Sequence, residues 1–145
     1  MNEQLMKRIE NFLKKHPELR GAPATSQEIT KAEEELQILF DSSYKAFITR
    51  FGGSYTGMPI HAFSNASSLG NETVINLTLW CRQSFEGGEF SSEINKCLVF
   101  SDDGSGNPIA INDKGEVVIY YHDSGYKDVL SESFESFVGE NFSEW

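Results

Sequence analysis

The sequence predicts an α+β fold, with a central, mostly antiparallel sheet (a β-meander) and helices at the N- and C-terminal ends. Three observations predict it. Residues 1–51 carry apolar side chains at helical spacing, residues 97–122 carry short apolar runs separated by glycine turns, and residues from 133 onward return to helical spacing. Helices at both ends with hairpin-linked strands between them lack the strand–helix alternation of a parallel sheet. At 145 residues the chain has the length of one domain able to bury a core, which excludes a two-domain enzyme. The expected division of residues 1–145 is a helical part over 1–53 and a sheet part over 54–145, the latter with one inserted and one closing helix.

Leu5, Ile9, Phe12 and Leu13 recur at i, i+4, i+7 and i+8 with Lys7, Arg8, Lys14 and Lys15 on other faces, so the first segment is an amphipathic helix that His16-Pro17 ends. Thr25 followed three residues later by Glu28 is a capping box that starts a second helix, with Ile29, Ala32 and Leu36 as its buried stripe and Glu33-Glu34-Glu35 as its solvated face. Asp41 or Ser42 caps a third helix carrying Tyr44, Phe47, Ile48 and Phe51, and Gly52-Gly53 terminates it. Past that pair the period shortens, with Ile60-His61-Ala62-Phe63 as a strand-like piece. Val74, Leu77 and Cys81 predict an inserted helix over Glu72 to Arg82, against the β-branched Thr73, Val74, Ile75 and Thr78. Strands are predicted at Cys97 to Phe100, Pro108 to Ile111 and Val117 to His122, with Val129-Leu130 as a short edge strand. Ser133 opens the closing helix through Phe134, Phe137, Val138 and Phe142.

Charge and composition narrow the function. With 12 Lys+Arg against 22 Asp+Glu the net charge is −10, which argues against nucleic acid or an anionic membrane as the direct partner, since both require clustered positive charge. A basic partner is permitted. Hydrophobic residues make up 39% of the chain, too many for a disordered acidic segment. There is no apolar run of membrane-spanning length and no signal-peptide core at the N-terminus, so the expected location is the cytoplasm. Cys81 and Cys97 sit in apolar company without C-x-x-C spacing, which fits small buried hydrophobes and not a zinc or redox site.

Familiar catalytic patterns fail on specific residues. Gly104-Ser105-Gly106 lacks the third glycine of a dinucleotide fingerprint, because position 109 is Ile109, and no G-K-[ST] sequence supplies a phosphate loop. The turn Asp102-Asp103-Gly104-Ser105-Gly106-Asn107 superficially resembles a calcium loop. Framed from Asp103, however, Pro108 replaces the required glycine and Lys114 the bidentate glutamate; the segment is a polar hairpin turn. His16, His61 and His122 form no zinc-binding spacing. His122 and Asp123, adjacent on the expected strand, point to opposite faces and make no base–orienter pair. Gly52-Gly53-Ser54-Tyr55-Thr56 has threonine where a nucleophile elbow needs glycine. No catalytic residue, metal ligand or cofactor site is assigned.

The most specific signal is a combination. The segment Phe40-Asp41-Ser42-Ser43-Tyr44 runs on to Arg50-Phe51-Gly52-Gly53. Phe100-Ser101-Asp102-Asp103-Gly104-Ser105-Gly106-Asn107-Pro108 follows, then Gly115-Glu116-Val117, Tyr121-His122-Asp123 and Ser133-Phe134-Glu135-Ser136-Phe137. In this order it resembles the SUKH superfamily, in particular its Smi/Knr branch of cell-wall-assembly-regulator-like proteins, over roughly residues 25 to 140. Asp41 stands where that family usually has proline, and Asn107 where an aspartate is common. The resemblance implies a SUKH-like α+β domain without known catalysis. Bacterial relatives look like immunity proteins that neutralise polymorphic toxins, often nucleases, by direct binding. Fungal relatives are regulators of glucan synthesis that act through protein partners.

The expected function is therefore non-catalytic protein binding, with a basic partner such as a cognate toxin domain. A regulatory scaffold of the glucan-synthesis-regulator type, or a small enzyme, is the alternative; the oligomeric state stays open. Because interface hot spots favour aromatic anchors, the candidate contact residues are Tyr55, Glu86, Glu89, Asp102, Asp103 and Asp123. Trp80 fits a core anchor, and Trp145 is a terminal residue. Residues 1–50 hold 8 basic and 8 acidic side chains, whereas residues 51–145 hold 4 and 14. The whole acidic excess lies on the sheet part, where a basic partner is expected to dock.

Overall fold

The structure, a computed structural model, describes residues 1–144; Trp145 lies outside the described residues. Helix α1 spans Glu3–Lys15, with the Asn2 side chain accepting from the N–H groups of Gln4 and Leu5. Its buried face is Met6, Ile9, Phe12 and Leu13, while Leu5 is only half-buried. Helix α2 (Ser26–Leu36) begins at the predicted capping box, in which the Glu28 N–H donates to Thr25 Oγ1 at 3.1 Å and the Thr25 N–H to Glu28 Oε1 at 2.9 Å. The Glu33 side chain is not merely solvated, since its carboxylate accepts the Phe40 N–H at 2.8 Å and ties α2 to the next segment. Asp41 caps α3 (Ser42–Phe51), accepting from the Ser43 and Tyr44 N–H groups at 3.1 Å each.

Beyond α3 the boundaries move for identifiable reasons. Only Ile60 of the apolar piece is strand, in a small hairpin of β1 (Ser54–Tyr55) and β2 (Pro59–Ile60). The inserted helix α4 spans Val74–Ser84, two residues later than expected, because Thr73 is the cap and forms a reciprocal box with Asn76. The β-branched Thr78 is tolerated because its hydroxyl accepts the Val99 N–H at 2.9 Å. A short helix α5 (Ser91–Ile94), absent from the sequence expectation, follows the glycine-rich loop. The four-stranded antiparallel sheet runs β3 (Leu98–Asp102), β4 (Pro108–Ile111), β5 (Val117–Tyr120) and β6 (Lys127–Ser131) in consecutive order, and α6 (Phe134–Asn141) closes the chain. Cys97 lies before β3, and His122 lies in the turn after β5, not on the strand.

The sheet is covered on both faces, which explains why its inner strands are apolar throughout. Leu98, Phe100, Ile109, Ile111, Val117 and Ile119 face the main core, shared with α1, α2, α3 and α6. Val99, Ala110, Val118 and Tyr120 face a second cluster with Leu77 and Cys81 of α4, Ile94 of α5 and Cys97. Burial pushes the Cys81 thiol up to about 12 and the Cys97 thiol to about 11, so both remain unreactive thiols. The free edge of β3 is closed by Thr78 and by the His61 N–H, which donates to the Phe100 carbonyl at 2.9 Å. The other edge, β6, is exposed from Lys127 to Leu130, and its Lys127 and Asp128 blunt it against strand addition. Lys127 is anchored by Glu93 of α5 at 2.7 Å.

Candidate protein-binding surface

The turn between β3 and β4 is built from its own acids. Asp102 Oδ1 accepts the Gly104 N–H at 2.7 Å, and Asp103 Oδ1 accepts the N–H groups of Ser105 at 2.9 Å and Asn107 at 3.2 Å. Asn107 is buried and works in both directions: its amide N–H donates to Asp103 Oδ2 at 2.7 Å, and its Oδ1 accepts the His122 N–H at 3.0 Å. An aspartate at 107 would keep the acceptor and lose the donor, setting a second carboxylate against Asp103. The His122 ring Nε2 lies 3.1 Å from the Ser105 carbonyl, so the β5–β6 turn and the β3–β4 turn are tied together. His61 is likewise structural, buried with Nδ1 at 2.7 Å from the Glu72 carbonyl.

Asp103 has a carboxyl below its usual range: burial raises it, but the hydrogen bonds from Asn107 and Ser105 outweigh that effect. An aspartate whose folded value is depressed stabilises the fold above its unfolded value, near pH 3.9, and that contribution is lost as pH falls through the folded value. Asn107→Asp has the opposite sign, since like-charge repulsion raises the new carboxyl in the folded state. The variant is expected to be about 1–2 kcal/mol less stable at pH 7, at the low end of the range for a lost buried hydrogen bond because Asp103 is exposed. Urea denaturation at pH 7 and pH 4 checks this, and a gap that fails to narrow in acid contradicts it.

Helix α4 brings an aromatic side chain to this turn. Its buried stripe is Val74, Leu77, Thr78 and Cys81, and Trp80 stands one residue off that phase, about 100° round the helix. Trp80 is therefore not the core anchor expected from its apolar neighbours: it is 52% exposed. On one side of the indole is a cleft of about 190 Å³ lined by Glu72, Leu77, Val99, Ser101, Asp102, Pro108 and the turn glycines Gly104 and Gly106. Trp80 and Gly106 also line a broader depression with Ser84, Phe85, Ser105 and His122. Glu72 is exposed and Asp102 half-buried.

The expected contact residues do not share one surface. Asp102 lines the Trp80 cleft, Asp103 holds the turn beside it, and Asp123 is exposed next to His122. Glu86 lines a separate cleft with Leu79, Arg82 and Asn95, and Glu89 is exposed in the loop that follows. Tyr55 lies with Leu19, Pro59 and Leu69 against an uncharged cleft. Trp80 and Glu72 escaped the sequence reading, although the phase of the α4 stripe already sets Trp80 outside it. The carboxylates of Glu72, Glu86, Glu89 and Asp123 take no ion pair among the described residues. On the helical part, by contrast, Glu3 and Glu10 both bind Arg50.

Among the described residues no group of three or more His, Cys, Asp or Glu side chains is placed to hold a metal ion, and no helix is long and apolar enough to cross a membrane. Among curated proteins none matches the chain. The family model of the SMI1 / KNR4 family (SUKH-1) matches residues 23–140, a span that starts just before the α2 capping box and ends within α6. It takes in the Asp41 cap, the Gly52-Gly53 corner, the acidic turn and every strand of the sheet, and the chain belongs to that family.

Proposed function

We propose that this chain is a non-catalytic protein-binding domain that acts as an immunity protein, neutralising a basic toxin domain by direct contact. The observation that carries this reading is an exposed indole, Trp80, next to acids without an ion pair among the described residues, on the part of the chain, residues 51–145, that holds the entire net charge of −10. A toxin that acts on nucleic acid must present Lys and Arg in its cleft, and an acidic partner occupies that cleft while its field speeds the encounter. Tryptophan adds the large, desolvatable contact area that dominates interface energies.

Co-expression with the toxic product of an adjacent reading frame tests the reading. Growth is expected to be rescued, with association slowing steeply as salt rises. Trp80→Ala is expected to weaken binding about 30-fold or more, the range of an interface hot spot, while the chain stays folded with a loss of about 1–3 kcal/mol from the half of the ring that is buried. Killing that is equal with and without this chain refutes the immunity reading. Capture of a cell-envelope regulator with no toxic partner would instead establish the scaffold role.

A further inference from the structure

The cleft beside Trp80 has a chemistry more specific than general acidity. Its floor is the buried side chains of Leu77, Val99 and Pro108, its wall is the indole, and its charged groups are Glu72 and Asp102. None of the lining residues is Lys or Arg. Asp102 uses Oδ1 to hold the Gly104 N–H, and Oδ2 accepts no hydrogen bond among the described residues. A volume of about 190 Å³ is below the roughly 300 Å³ at which small-molecule sites begin, so it suits one inserted side chain.

Charge and shape select which side chain. An anion is repelled by both carboxylates, and an apolar side chain would strip water from them without returning a hydrogen bond. A cation with an apolar stem suits every lining group: the stem is matched by Leu77, Val99 and Pro108, and the charge by the indole and the two acids. Arginine fits better than lysine, because the planar guanidinium stacks on an indole, forks onto carboxylates and is less strongly hydrated than an ammonium. The cleft at Leu39 makes no such choice, since Lys96 lines it together with Asp41 and Asp113.

We propose that the cleft bounded by Trp80, Glu72 and Asp102 is a receptor for an arginine side chain presented by a protein partner. The assignment rests on the protein-binding reading above and names the group that the partner must supply.

The direct test titrates the full chain with N-acetyl-arginine amide, N-acetyl-lysine amide and N-acetyl-citrulline amide. Proton–nitrogen correlation spectra report binding, with the Trp80 indole signal assigned through Trp80→Phe. The arginine compound is expected to cause saturable shifts at the Trp80 indole and at the Leu77, Gly104 and Gly106 amides. The neutral citrulline compound is expected to cause none. Glu72→Gln with Asp102→Asn, which preserves the Oδ1 acceptor of the turn, is expected to weaken arginine binding roughly five-fold. Shifts that map elsewhere, equal shifts from citrulline, or lysine binding as tight as arginine overturn the assignment. If wild-type and double-variant chains rescue growth equally and the probe does not move Trp80, the cleft assignment falls and the immunity reading stands. If the probe binds as expected but no toxin is neutralised, the receptor stands and the immunity reading falls.

Discussion

Gly52→Ala is expected to cost roughly 4–6 kcal/mol and to leave little folded protein, since domains of this kind carry only about 5–15 kcal/mol in total. Gly52 has φ +66° and ψ −155°, a backbone region essentially closed to residues with a Cβ. A Cβ there would lie 2.0 Å from the Ala22 carbonyl oxygen, so the connector between α1 and α2 would have to move. That connector is fastened on both sides, by the Ala22 N–H to Ser64 and the Ala24 N–H to Ile48, at 3.3 and 2.9 Å. The damage also reaches the Trp80 cleft. Adjacent Gly53 pairs with Asn65, whose side-chain amide donates to the Glu72 carbonyl at 2.7 Å and so positions one acid of the Trp80 cleft. Gly70→Ala is the control: φ is +83° but nothing lies within 4 Å, so only backbone strain of about 1–3 kcal/mol is expected. Urea denaturation of both variants separates collision from strain, and equal losses would contradict this account.

Phe134→Ala is expected to remove about 3–5 kcal/mol, the cost of an uncollapsed cavity at a fully buried ring. Phe134 meets Tyr44, Phe47 and Phe100 edge-on at centroid distances of 5.4, 5.9 and 5.3 Å. It thereby joins α3, the sheet and α6, and each such aromatic pair adds about 0.5–1.5 kcal/mol beyond burial. Tyr44 also donates its hydroxyl to the His61 carbonyl at 2.6 Å, so the same cluster holds the segment that leads to Glu72. Phe134→Leu retains most of the volume and is expected to lose less than about 1.5 kcal/mol. Denaturant midpoints of the two variants measure the difference; near-equal values would show that the site collapses on truncation and that the ring contacts are not what joins the layers.

The helix caps, the glycine corner and the turns were legible because each is a contract between residues a few positions apart. Thr25 and Glu28 meet whenever that segment is helical, and Asp103 reaches the N–H groups of Ser105 and Asn107 wherever the turn forms. The family resemblance was carried by the same local punctuation, which is why it held across residues 23–140. The start of α4 was missed although its cap, Thr73 with Asn76, is equally local; what no local rule contains is the tolerance of β-branched Thr78 inside the helix. Helix α4 keeps Thr78 because β3 supplies the backbone of Val99, 21 residues later in the chain.

The candidate surface around Trp80 was legible only in part, because it joins segments distant in sequence. Asp102 announces itself through the turn, but Tyr55 is marked only as an aromatic after Gly53, and Glu86, Glu89 and Asp123 only as acids in loops or at a strand end, and neither mark says which segments meet. Trp80 by residue type and apolar neighbours fits a core anchor, and Glu72 carries no local mark of a contact role. Their juxtaposition follows from α4 packing on the sheet with Leu77 and Cys81 inward, which carries the indole to the β3–β4 turn. Composition and spacing are additive along the chain, so net charge, fold class and caps can be summed from the residues in order. A cleft is a relation between segments far apart in sequence, and it exists only once burial of both sheet faces has chosen which side of each helix remains in water.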